Sequence, residues 1–168
     1  GRRGRTSAEL RASLGLDPGR FTALLVGGAA GVGPLEEIVQ AHWQRFGRHY
    51  YSRHDYEALD TGIANALMQA LRERVDSLAG QTLNGLIVAK ADDFAYDDPV
   101  DGSVSRQQGI RVIFDNGARV VYRLSGTGTE GATLRVYLEW FEADPAGHVV
   151  PVQEKLAGLV AIARELAG

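Results

Sequence analysis

The chain has 168 residues, 45% hydrophobic and 23% charged, with no cysteine and a formal charge of −3 at pH 7. That length and balance fit one folded core, the lack of cysteine removes disulfides, thiolate catalysis and cysteine-based metal centres, and the negative charge disfavours nucleic acid or an anionic membrane as the main partner. The longest apolar stretch, Phe21 to Val32, is too short and too rich in glycine to cross a bilayer.

Residues 1–33 are basic, glycine-rich and poorly patterned, with Arg2, Arg3, Arg5, Arg11 and Arg20 against Glu9 and Asp17. A transit peptide has such a composition, and a truncation scar, a divergent linker or a reading-frame error accounts for it as well. A domain is expected over residues 34–168. Pro34 suits the first position of a helix, Leu35, Ile38, Val39, His42 and Phe46 share one helical face, and Gly47 suits a C-terminal stop. Arg48 to Tyr56 predicts a strand rich in aromatics. A second helix follows, with Asp60 or Thr61 as cap, Ile63, Leu67, Leu71, Val75 and Leu78 as apolar stripe, and Gly80 at its end. Leu86 to Ala91 predicts a short strand leading into an acidic loop. Ile110–Phe114 and Arg119–Leu124 predict a hairpin around Asn116-Gly117, a favoured two-residue turn. Leu134, Val136, Leu138 and Trp140 then alternate with Thr133, Arg135, Tyr137 and Glu139, a strand with one buried and one polar face. Pro151 to Leu166 closes the chain as a helix. This order predicts an α+β fold, a mainly antiparallel sheet with helices packed on one face and the other face open.

The segment from Arg123 to Arg135 carries the chemistry. Two arginines flank Ser125, Gly126, Thr127, Gly128, Thr129 and Gly131. Glycines expose backbone N–H groups and allow positive φ, hydroxyls add short donors, and the guanidinium fork matches phosphate oxygens. Strand alternation puts Arg123 and Arg135 on the polar face of the sheet, where both can converge on one anion. Ser125 has no evident base and reads as a donor, not a nucleophile. Gly126 to Gly131 also spells a dinucleotide fingerprint, but that motif opens a helix and a strand follows here. Its last four residues spell an RNA-binding GXXG loop, which Glu130 and the negative charge disfavour. Asp92, Asp93, Asp97, Asp98 and Asp101 lack the spacing of a calcium loop, and His42, His49, His54 and His148 lack the spacing of a metal site. Arg53 to Glu57 reads either as a strand meeting a cleft or as a solvated edge.

Several ordered motifs resemble one family, the phosphohexomutases, and within them the phosphoglucomutases. They are the segments 42–48, 53–57 and 98–109, then Arg-Leu-Ser-Gly-Thr-Gly at 123–128 and Gly-Ala-Thr-Leu-Arg at 131–135. The resemblance runs from about Pro34 to the C-terminus, and so many motifs in order are far more specific than any one of them. It implies the family's C-terminal domain, similar in shape to half of a TATA-binding protein. By the same resemblance, Arg123, Ser125, Gly126, Thr127, Gly128 and Arg135 hold the non-reacting phosphate of a hexose phosphate while the other end reacts. The family interconverts glucose 1-phosphate and glucose 6-phosphate through glucose 1,6-bisphosphate, in the cytoplasm, in a four-domain protein. Its phosphoserine, magnesium loop and sugar-recognition loop lie in the first three domains, and none is visible in this sequence. The chain is therefore expected to hold no catalytic residue and no metal ligand, to need the N-terminal domains as partners, and to be inactive alone. Mg²⁺ and the bisphosphate belong to the full-length enzyme. The alternative is a stand-alone phosphosugar-binding module or non-catalytic fragment.

Overall fold

The computed structural model describes residues 35–128 and 131–168. Residues 1–40 and 41–168 form separate compact units. Helix α1 (Leu35–Phe46) forms as the periodicity predicts, with Glu36 and Glu37 in its first turn and Arg45 in its last, where each charge opposes the helix dipole. None of its residues is buried; Ile38 and Phe46 are 46% and 45% exposed. Gly47 ends it at φ +81°, its N–H donating to the Trp43 carbonyl at 2.7 Å. A side chain there would meet the Phe141 ring at 2.4 Å.

The second unit is built on six strands: β1 (Arg48–Leu59), β2 (Thr82–Leu83), β3 (Leu86–Asp97), β4 (Val104–Phe114), β5 (Arg119–Gly128) and β6 (Gly131–Glu142). They order as β1-β6-β5-β4-β3-β2, every neighbouring pair antiparallel. One face is covered by α2 (Thr61–Leu78) and α4 (Ala157–Ala167), with the short α3 (Val152–Lys155) before α4. The expected α+β architecture is therefore present. Tyr122 illustrates the core: it is fully buried on β5 and its hydroxyl donates to the Ala163 carbonyl of α4 at 2.7 Å.

Asp60 caps α2, its carboxylate accepting from the Ile63 N–H at 2.9 Å. The buried stripe is Ala64, Met68, Leu71, Val75 and Leu78, and Ile63 is 72% exposed. Leu71, Val75 and Leu78 are buried as expected and Leu67 packs partly buried against the core, while Ala64 and Met68 join the buried face in place of Ile63.

Several element boundaries differ from expectation: β1 runs on to Leu59, β4 begins at Val104 and β5 runs on to Gly128. β3 continues to Asp97, so Asp92 and Asp93 are strand residues and only Asp98 and Asp101 remain in the acidic loop. Arginines make this possible by neutralising the carboxylates: Arg111 donates to both oxygens of Asp92 at 2.9 and 2.7 Å, and Arg72 to Asp93 at 2.6 Å. The closing helix is broken at Leu156, fully buried at φ −91°, ψ 0°, a bridge conformation that separates α3 from α4.

Candidate functional site

Arg123 on β5 and Arg135 on β6 face each other directly across the antiparallel pair. Their neighbours Tyr122, Leu134 and Val136 are buried, so the pleat sends both arginines to the face the helices leave open. Like charges in this position destabilise a sheet unless something else compensates them.

The same face shows what compensation looks like. Arg111 has Asp92, and Arg119 donates to Glu139 through Nε at 2.7 Å. The hydrogen bond from Arg111, with a smaller one from Lys90, holds the Asp92 carboxyl below its ordinary value. No such partner serves Arg123: among the described residues no carboxylate pairs with it. Arg135 has only Asp55 on β1, with Oδ2 at 4.0 Å from Nε, while the other oxygen lies 2.9 Å from Arg53 Nε. A 4.0 Å approach is not a hydrogen bond, and Arg135 Nε is buried without one. Arg53 and Arg135 thus share one carboxylate at this end of the sheet, and Arg123 has none. The imbalance is what an anion would relieve.

The hairpin tip adds donors. Ser125 pairs with Thr133 and Gly128 with Gly131, so three steps along β5 answer two along β6. The extra residue forms a bulge at Gly126 and Thr127, with Gly126 at φ +69°, a left-handed conformation that glycine adopts without strain. A bulge leaves one residue's backbone out of the ladder, and its polar groups become available to a ligand. The expected open loop from Ser125 to Gly131 is therefore corrected: the strands run on to Gly128 and resume at Gly131, because pairing resumes beyond the bulge. Thr129 and Glu130 lie outside the described residues. Gly131, at φ +94°, lets the end of β1 approach, since a side chain there would come within 3.0 Å of the Leu59 carbonyl.

The structure thus brings Arg123, Ser125, Gly126 and Arg135 to one end of β5 and β6, with Thr127 and Gly128 continuing β5 beside them. Sequence reasoning missed Asp55 and Gln108 as members of the site. Arg123 donates through Nε to the Gln108 backbone carbonyl at 3.0 Å and through Nη2 to its side-chain oxygen at 3.2 Å. Asp55 lay within a motif left as cleft or solvated edge; its pairing with Arg135 is decided by β1 lying beside β6.

A cleft of about 520 Å³ between the sheet and helices α2 and α4 is lined mainly by apolar side chains such as Leu67, Leu134, Val136 and Val160, with His54, Tyr56 and Arg164 as its polar members. Among the described residues no group of three histidine or acidic side chains converges to hold a metal. The Mg²⁺ that the resemblance implies finds no ligand set among these residues, Asp92 and Asp93 being engaged by arginines. His148 is buried with Nε2 at 3.1 Å from the Glu142 carbonyl, a structural contact. No helix among the described residues is long and apolar enough to cross a membrane.

Residues 48–168 match the family model described as Phosphoglucomutase-1, C-terminal domain. The phosphoglucomutase of Rhizobium radiobacter is 54% identical over 134 residues, 80% of this chain and 25% of that protein. The cytoplasmic phosphoglucomutase of Populus tremula is 48% identical over 136 residues, 77% of this chain and 23% of that one. Among solved structures, the open form of pp63/parafusin, a phosphoglucomutase from Paramecium, superposes with a TM-score of 0.68 at 43% identity, covering 79% of this chain and 22% of that chain. The chain spans about a quarter of the length of the curated relatives it matches. With the antiparallel sheet, the motif order and the matched model all in agreement, the chain belongs to the phosphoglucomutase family, as its C-terminal domain.

Proposed function

We propose that residues 34–168 form the phosphate-holding domain of a phosphoglucomutase that interconverts glucose 1-phosphate and glucose 6-phosphate through glucose 1,6-bisphosphate. The observation that carries this reading is the directly opposed pair Arg123 and Arg135, short of carboxylates and standing beside the Gly126 bulge. A phosphate dianion neutralises both arginines and accepts from Ser125 and from the backbone of Gly126, Thr127 and Gly128.

The role of these residues is positioning. One end of a hexose bisphosphate must be held while the other exchanges its phosphoryl group, and fixed donors do this without forming or breaking bonds. Closure of the domain over a bound sugar would exclude water, which competes for a phosphoryl group. The transferring group, the Mg²⁺ that supports it and the sugar-recognition residues are assigned to the rest of a longer enzyme, and a cytoplasmic setting fits the names of several relatives.

Titrating this chain with glucose 6-phosphate tests the site. Binding should be weak, on the order of millimolar, because about 4–15 kcal/mol of association and ordering cost offsets most of the gain from the charge-assisted bonds. Amide NMR signals from Ser125 to Gly131 should shift first, with inorganic phosphate competing and glucose inert. Arg123→Ala and Arg135→Ala should each weaken binding by about 10-fold or more while leaving the fold intact. Equal responses to glucose, or shifts confined to residues 97–101, would remove the assignment. A coupled mutase assay on this chain alone, with glucose 1-phosphate, magnesium and the bisphosphate, should stay at background.

A further inference from the structure

The side chain of Arg123 takes an unusual course. On β4, Gly109 lies next to Ile110, the partner of Tyr122; its φ is +152° and its absent side chain would stand 2.3 Å from the Tyr122 carbonyl and 2.9 Å from Arg123 Cγ. Any other residue at 109 would occupy the space into which Arg123 leans. β4 is also irregular just before this point. Phe94 pairs with Gly109 but Tyr96 with Ser105, so four steps along β4 answer two along β3, and Gln107 adopts φ +54°. The bulge displaces the backbone of residues 106–108 and brings both oxygens of Gln108 to the guanidinium, the carbonyl at 3.0 Å from Nε and Oε1 at 3.2 Å from Nη2. The Gln108 amide is itself oriented, because its Nε2 donates to the Arg106 carbonyl at 3.2 Å, which leaves Oε1 to face Arg123.

We infer that Gln108, seated over the side-chain-free Gly109, is a positioning residue that holds Arg123 apart from Arg135 and presents its remaining nitrogen, Nη1, to the phosphate. The inference rests on the phosphate site proposed above. Its physical content is pre-organisation. Two opposed arginines repel, and an unrestrained Arg123 would sample many rotamers, all but a few of which must be surrendered when phosphate binds. Two acceptors from one residue remove that freedom beforehand, and they do so with a neutral group that does not compete as a carboxylate would. The contrast with Arg111 and Arg119, each held by a carboxylate, is the chemical signature of this role.

The test uses Gln108→Ala, which removes Oε1 and keeps the backbone carbonyl. Rotation of the Arg123 guanidinium about its Nε–Cζ bond, read from its Nη resonances, should accelerate, a signature that a purely structural role for Gln108 would not produce. The dissociation constant for inorganic phosphate or glucose 6-phosphate should rise roughly 2- to 10-fold, the loss expected from freeing one long side chain, with an unchanged melting temperature. Gly109→Ala should weaken phosphate binding as well, by displacing Arg123 from its track, and Gln108→Ala keeps the test independent of whether that variant folds. Tighter binding in Gln108→Ala would overturn the inference by showing that Gln108 sequesters Arg123. An unchanged constant in Gln108→Ala, alongside weakened binding in Arg123→Ala, would overturn it and leave the phosphate site standing. Unchanged binding in Arg123→Ala would remove the site and the inference together.

Discussion

At the scale of single residues, what separates the two arginines proposed to bind phosphate from the other arginines of the open face is the acceptor. Arg111 and Arg119 end on carboxylates, Arg123 on the neutral oxygens of Gln108, and Arg135 on nothing within hydrogen-bond distance of Nε. The strand alternation of residues 119–124 and 133–140 was enough to place both site arginines on the open face. The acceptors were not legible, since Asp55 reaches Arg135 from a strand far away in sequence and Gln108 reaches Arg123 through a bulge in β4. The core makes a complementary point. Burial pushes the Tyr122 hydroxyl far above its ordinary value, so it stays protonated and donates to the Ala163 carbonyl. Tyr122→Phe removes that hydrogen bond from the core. The expected loss is about 1–2 kcal/mol, to be read as a lower urea midpoint with an unchanged slope.

At the scale of elements, the end of β6 is tied to the short α3 by an ion pair between Glu142 and Lys155, with the Lys155 ammonium also 5.1 Å from the Trp140 ring centroid. Lys155, and then the Asp144 N–H, hold the Glu142 carboxyl below its ordinary value of 4.5. A carboxyl whose folded value is depressed contributes stability that is fully present above its unfolded value and is lost as pH falls through the folded one. Lys155→Met should therefore raise the Glu142 titration toward its ordinary value and move acid unfolding to higher pH, measured by carboxyl NMR titration and by circular dichroism against pH. This tie also bears on the broken C-terminal helix. The apolar spacing of Leu156, Leu159, Val160, Ala163 and Leu166 reads as one helix, and local propensity offers no stop. The turn at Leu156 arises from packing, because its side chain is fully buried while Lys155 reaches back to β6. Asp92 and Asp93 show the reverse case, in which a run of acids reads as a solvated loop until arginines on α2 and β4 neutralise it in a strand.

At the scale of the whole molecule, opposed arginines leave in the domain a repulsion that an anion bound as proposed would remove. A ligand that binds only the folded state stabilises it by mass action, about 1.4 kcal/mol at ten times its dissociation constant. Glucose 6-phosphate at that excess should raise the melting temperature by roughly 3–5 °C in a thermal scan, glucose should not, and Arg123→Ala should lose the effect. The family was written in local sequence: the Arg-Leu-Ser-Gly-Thr-Gly motif, the hairpin turn at Asn116-Gly117 and the period-two strands depend on residues close along the chain, where composition and alternation act directly. The burial of Ala64 and Met68 on α2, the bulges on β4 and β5, and the contact of Gln108 with Arg123 depend on strands that meet only after the sheet is assembled. Periodicity can say which face of a strand is polar. Which acceptor stands opposite each arginine on that face is decided by register, and register is set by how the strands pack together.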